Sequence, residues 1–210
     1  MPAGCLSSAS CCLTRESGRS ARKISFHPVV KGRASRFEVR CMVDVCPEPV
    51  TDSGASFSRC RVWRYLLWRR LTQRKRQRAI AFVGLNPSTA DETKNDPTVR
   101  RCIDFARRWN FDLFYMLNAY AFRATDPAEM KRAADPVGKE TDKVLRAVAS
   151  QCRLIVAAWG VHISDERERD VLSALNCSVR CLGRTKHGRP RHPLYLRKDT
   201  QHQLFWRPNR

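Results

Sequence analysis

Four short, mainly apolar blocks punctuate the chain after residue 59. They stand at 79–85 (AIAFVGL), 113–119 (LFYMLNA), 153–158 (RLIVAA) and 178–182 (SVRCL). Near-continuous apolar runs of this length mark strands that are covered on both faces. Between them the period changes. Val99, Cys102, Ile103, Ala106 and Trp109 recur at helical spacing and predict a helix over 97–109. Asp96-Pro97 supplies its start, an N-cap followed by a proline at the first helical position. Asp126-Pro127-Ala128-Glu129 predicts a short helix with capping-box-like spacing. Asp135-Pro136 predicts a longer one, with Val137, Thr141, Val144, Leu145 and Val148 on one face, and 165–175 predicts another. Residues 60–70 (CRVWRYLLWRR) suit an edge strand, 71–78 a basic loop, and 183–197 a basic loop with a short extended end.

Strands alternating with helices imply an α/β fold. The expected architecture is a three-layer sandwich with a central, mainly parallel four-stranded sheet and one edge strand. Residues 59–210 form the expected single domain. Residues 1–40 are rich in Ser, Arg and Cys without apolar period, and 41–58 carry Pro47, Pro49 and Gly54 but no Lys or Arg. The first 58 residues are therefore expected to be a disordered basic extension and linker. In open α/β sheets ligands bind beyond the carboxyl ends of the strands. That rule selects Gly84–Ser88, Asn118–Arg123, Trp159–His162 and Gly183–His192.

Charge narrows the ligand. Forty Lys and Arg stand against twenty Asp and Glu, a formal net charge of +20, and 31 of the forty are Arg. Residues 59–210 hold 32 of the basic and 15 of the acidic residues, so the domain itself carries +17. Such a field attracts polyanions. The expected partner is DNA or a nucleotide. No apolar run approaches the roughly 18 residues that span a bilayer, so no membrane partner is expected. The cytoplasm is the expected compartment, with nucleoid association compatible with the charge. Organellar import would follow only if residues 1–40 served as a transit peptide.

The ten cysteines form no C-x-x-C pair, and Cys102 and Cys152 sit in apolar patterns. No metal and no cofactor are expected, scattered cysteines leaving an iron–sulfur cluster as the minor alternative. Dinucleotide, Walker A, H-E-x-x-H and G-x-S-x-G signatures are absent.

Candidate site residues follow from the four selected stretches. Asn86, directly after the first buried strand, offers a donor and an acceptor to a base edge or a water. Ser88 suits a phosphate. Asp91 and Asp96 are both candidate general bases, although Asp96 better fits helix capping. Asn118, Tyr120, Phe122 and Arg123 end the second strand, where an aromatic ring can stack on a base. His162 follows Trp159-Gly160. Lys186, Arg189, Arg191 and His192 lie in a dense basic stretch, and His192 is restrained by Pro193 and suited to meet a leaving group or phosphate.

Between Cys60 and Trp206 the chain resembles the bacterial domain-of-unknown-function family 1643. The resemblance is carried by GLNPSTAD (84–91), NDPTVRRCIDFARRW (95–109), NAYAFRATDP (118–127), RAADPVG (132–138), VAAWG (156–160) and LGRTKHGRPRHPLYL (182–196). More distantly the layout is similar to the uracil-DNA glycosylase superfamily. GLNPS is similar to the first motif of its mismatch-specific branch, which implies a water-positioning role for Asn86. RHPLYL resembles the second motif, which implies that His192 stabilises the departing base. The first motif here has no Asp and the second lacks its usual Ser. The resemblance implies a glycosylase-like hydrolase of the N-glycosidic bond. Two alternatives stand beside it: a non-catalytic nucleic-acid binder on the same scaffold, and a nucleotide-processing enzyme.

Overall fold

A computed structural model describes residues 51–74 and 77–209. Most of the stretch expected as an extension, residues 1–50, lies outside the described residues. Among the described residues, seven strands form one sheet in the order β1-β2-β4-β3-β5-β6-β7. In chain order these are β1 (Ser53–Phe57), β2 (Arg64–Arg70), β3 (Ala79–Gly84), β4 (Leu113–Asn118), β5 (Leu154–Ala157), β6 (Val179–Cys181) and β7 (Gln203–Trp206). The helices are α1 (Pro97–Arg108), α2 (Pro127–Arg132), α3 (Thr141–Ala149) and α4 (Asp165–Leu175). Pro193–Tyr195 adds one 3₁₀ turn.

β3 pairs in parallel with β4 on one side and β5 on the other, and β5 pairs in parallel with β6. β1, β2 and β7 join antiparallel. The sheet is thus larger and more mixed than expected. The strand Ser53–Phe57 lies inside the stretch read as linker, so β2 is flanked on both sides and is not an edge. The alternation in SGASF is too weak to announce a strand; pairing with β2 makes it. β7 also went unread, because four residues in a polar tail give little periodic signal.

Strand alternation divides the core. Ala81, Val83, Tyr115, Leu117, Ile155 and Ala157 face α3 and α4, meeting Val144, Leu145, Val148, Val171 and Leu175. Ile80, Phe82, Phe114, Met116 and Val156 face α1 and meet Val99, Cys102, Phe105 and Ala106. Both faces are covered, which is why β3 and β4 read as unbroken apolar runs.

The caps behave as the sequence suggests at α1, where Val99 N–H donates to Asp96 Oδ1 at 2.8 Å. At α2 the Asp126 side chain accepts from Ala128 N–H. α3 begins later than expected. Asp135 Oδ1 accepts from Gly138 N–H, and Gly138 adopts φ +78°, so the Asp135-Pro136 signal builds a turn before the helix rather than its first residues.

β3 leads through α1 to β4 on one side, while the chain crosses to β5 on the other. Neighbouring strands whose connections depart in opposite directions leave a crevice at their carboxyl ends. Asn86 follows β3 and Trp159-Gly160 follows β5, so both fall at that point. The basic loop 71–78 precedes β3 and follows β2, so it belongs to the opposite end of the sheet. Of that loop, Arg74 pairs with Asp112 and Arg78 donates to the Asn110 carbonyl, whereas Lys75 and Arg76 lie outside the described residues.

Candidate functional site

A cleft of about 630 Å³ opens at the carboxyl ends of β3 and β5. Its walls come from the β3–α1 loop, the β5–α4 loop, the segment after β4 and the hairpin 183–192 with the 3₁₀ turn behind it. Asn86, Ser88, His162, Arg191 and His192, all singled out in the sequence, line it. Arg64, Asp96, Thr98 and Tyr195 line it too.

Asn86 is fixed by the backbone. Its Nδ2 donates to the Ala124 carbonyl at 2.7 Å and to the Pro87 carbonyl at 3.1 Å. Both amide hydrogens are thereby engaged, and Oδ1 is left to accept. The neighbouring segment is tied down as well: Ala124 N–H donates to the Pro87 carbonyl at 2.9 Å, and Tyr120 N–H to the Leu85 carbonyl at 2.9 Å.

His192 is half-buried opposite. Leu194 N–H approaches its Nδ1 at 3.4 Å, so the neutral ring carries its hydrogen on Nε2. Burial holds its pKa below the ordinary 6.5, with the negative Asp96 pulling weakly the other way. The ring packs obliquely on Tyr195, centroids 5.7 Å apart. Gly160, at φ +73°, brings the β5–α4 loop close to it: a Cβ there would stand 3.9 Å from His192 Cβ.

The hairpin that delivers His192 is anchored to α4. Thr185 N–H donates to the Arg189 carbonyl, and Arg191 N–H to the Gly183 carbonyl. Arg189 forms ion pairs with Asp165 and Glu168. Glu168 also accepts from Trp159 Nε1 at 2.9 Å, so one carboxylate links the hairpin to the β5–α4 loop. Arg189 therefore braces the hairpin against α4. Lys186 is exposed near the hairpin tip, where Gly188 turns the chain at φ +78°.

Other expected residues stand elsewhere. Asp91 Oδ1 accepts from Lys94 N–H at 2.7 Å and Thr93 N–H at 2.9 Å, which hold its pKa below the usual carboxylate range; it does not line the cleft. Tyr120 is buried with its hydroxyl 3.2 Å from Ser164 Oγ, so its ring is core and the α4 cap is its partner. Phe122 and Arg123 line a second, shallower depression of about 410 Å³. There Arg123 and Arg61 lie over the Phe57 ring at 5.0 and 4.0 Å, and Arg61 pairs with Glu92. Ser88 lies between the two depressions and lines both. Asn118 is 3% exposed and accepts through Oδ1 from Arg64 Nη2 at 3.1 Å.

Two residues escaped the sequence reading, and a third, Asp96, was assigned mainly its structural role. Arg64 opens β2, which runs antiparallel to β4, so its first residue reaches the carboxyl edge where the parallel strands end. Asp96 caps α1 and lines the cleft at once, and the cap explained it sufficiently from sequence. Tyr195 is 79% exposed at the rim, just beyond the last of the four stretches that the sheet rule selects.

Among the described residues, no three His, Cys, Asp or Glu gather as a metal site, and no helix is long and apolar enough to cross a membrane. Neither a comparison with curated proteins nor one with solved structures finds a match. A family model does match residues 64–194, from the first residue of β2 through the loop that carries His192. With more than half of its length covered, the chain belongs to the family described as Protein of unknown function (DUF1643).

Proposed function

We propose that the cleft takes a nucleobase of DNA or of a nucleotide and that the chain hydrolyses its N-glycosidic bond. One observation carries the reading. An asparagine whose amide hydrogens are occupied and a neutral histidine with Nε2–H to donate face one cleft at the switch point of the sheet. The similarity of GLNPS and RHPLYL to two uracil-DNA glycosylase motifs supports it, because both segments border this cleft.

In this reading Asn86 Oδ1 accepts a hydrogen from a water and aims it at the anomeric carbon. The C–N bond to the base breaks as the C–O bond to water forms. His192 Nε2–H donates to the base as it leaves with the bonding pair. An amide cannot take the water's proton. Asp96, the carboxylate lining the cleft, is the group able to do so. Tyr195 takes the stacking role first expected of Tyr120 or Phe122. Arg191 offers a phosphate contact at the rim, where Arg189 is already paired.

The test is base release from oligonucleotides bearing uracil, deaminated purines, mismatched thymine or other modified bases, run beside the corresponding nucleotides. Release from at least one of them is expected. Salt-sensitive binding of every substrate with release from none would favour the second reading, a binding protein on this scaffold. The net charge of +17 over residues 59–210 is the observation behind that alternative.

A further inference from the structure

A buried arginine without a carboxylate points to what is missing beside it. Three arginines are buried among the described residues: Arg64, Arg69 and Arg167. Arg69 distributes its guanidinium over Asn95 Oδ1 and the carbonyls of Gly54, Trp68, Asp91 and Lys94. Arg167 donates through Nε to the Ala119 carbonyl and pairs with Asp142 and Asp170. Both are internal staples with their donors in use.

Arg64 differs. It is 2% exposed, yet it makes two hydrogen bonds, from Nη1 to the Ala90 carbonyl at 2.9 Å and from Nη2 to Asn118 Oδ1. None of the ion pairs among the described residues includes it. Its Nε has no acceptor, and neither has Asn118 Nδ2. Burial disfavours the Arg64 cation most; of the described charges around it, Asp96 favours it, and Arg123 and Arg69 oppose it. Leaving a buried cation and two buried N–H groups unsatisfied is costly, and folding alone gives no return for it.

The position of this pair is informative. Arg64 lines the cleft, and Asn118 Nδ2 lies just behind Gly84, another lining residue, where a Cβ would stand 3.0 Å from it. An acceptor carrying negative charge would satisfy both N–H groups. We propose that the floor of the cleft is an oxyanion site in which Arg64 and Asn118 receive a phosphate oxygen of the ligand. Phosphate suits the site better than carboxylate, because the hydroxyls of Ser88, Thr98, Thr125 and Thr185 line the same cleft and can serve its further oxygens. A volume of about 630 Å³ accommodates a nucleotide. The inference rests on the base-binding reading of the cleft but not on its chemistry.

The test uses the full chain. Inorganic phosphate, a nucleoside 5′-monophosphate, the matching nucleoside and a dinucleoside with one internal phosphodiester are titrated by calorimetry. The Arg64 Nε–H resonance is followed in parallel by NMR. Phosphate should move that resonance, and a phosphate-bearing ligand should bind at least tenfold more tightly than the nucleoside. Tighter binding of the monophosphate assigns the group to a free nucleotide; equal binding by the dinucleoside assigns it to a polynucleotide. Arg64→Met should abolish the preference, and Arg64→Lys should keep part of it. An unmoved resonance, or equal affinity for nucleoside and phosphate-bearing ligands, overturns the inference even if base release is observed. If Arg64→Met does not fold, the wild-type resonance and Arg64→Lys decide. Absence of base release leaves the phosphate preference measurable and so separates the two readings.

Discussion

Asn86 Nδ2 donates to the Ala124 carbonyl at 2.7 Å. This bond joins the loop after β3 to the segment after β4, two loops that end parallel neighbours in the sheet. It turns a flexible amide into a fixed acceptor. Asn86 is therefore held in place by the protein itself, which is what the proposed water-positioning role requires.

Tyr120 and Tyr195 should separate structure from binding. Tyr120→Phe removes the hydroxyl bonded to Ser164 and should cost about 0.5–1.5 kcal/mol in denaturant unfolding with ligand affinity unchanged. Tyr195→Ala should leave stability nearly intact and weaken single-stranded nucleic-acid binding by about 1–3 kcal/mol. The reverse pattern would return the stacking role to Tyr120.

Arg189 and Arg191 are two residues apart and should behave oppositely. Arg191→Gln should reduce the salt dependence of nucleic-acid binding by about one counterion, seen as a shallower slope of log K against log salt. Arg189→Gln should leave that slope unchanged and lower Tm, since its charge is taken by Asp165 and Glu168.

His192 should titrate below 6.5, because burial disfavours its charged form. Asp96→Asn should lower it further, since Asp96 favours the cation. The unfolded chain then binds more protons than the folded one, so the contribution of His192 to stability is complete above pH 6.5 and is lost as pH falls toward the folded value. NMR titration of the imidazole in both proteins measures this. A midpoint above 6.5, or a rise in Asp96→Asn, would contradict the placement of the two groups.

Much of the fold was legible because β3 and β4 are buried on both faces and α1 carries a strong cap. The rim of the cleft was legible for a related reason: residues that follow a buried parallel strand must arrive at its carboxyl end, which located Asn86 and His162, while the dense basic run and Pro193 drew attention to Arg191 and His192. Of the floor, Asn118 was legible as the end of a buried strand, but Arg64 was not. Arg64 reaches it from an antiparallel strand whose neighbour β1 carries no pattern, so neither its direction nor its depth could be read from local spacing. Tyr120 misled because a strand-terminal aromatic near a site looks the same in sequence whether its hydroxyl faces a ligand or a helix cap.

The most direct test of the central claim compares Asn86→Ala with the wild type on whichever substrate releases its base. Turnover should fall by at least a hundredfold, while affinity for the same DNA or nucleotide, measured without turnover, stays within about twofold. Equal turnover by the variant would contradict the assignment of Asn86 as the water-holding group and, with it, the proposed chemistry of the cleft.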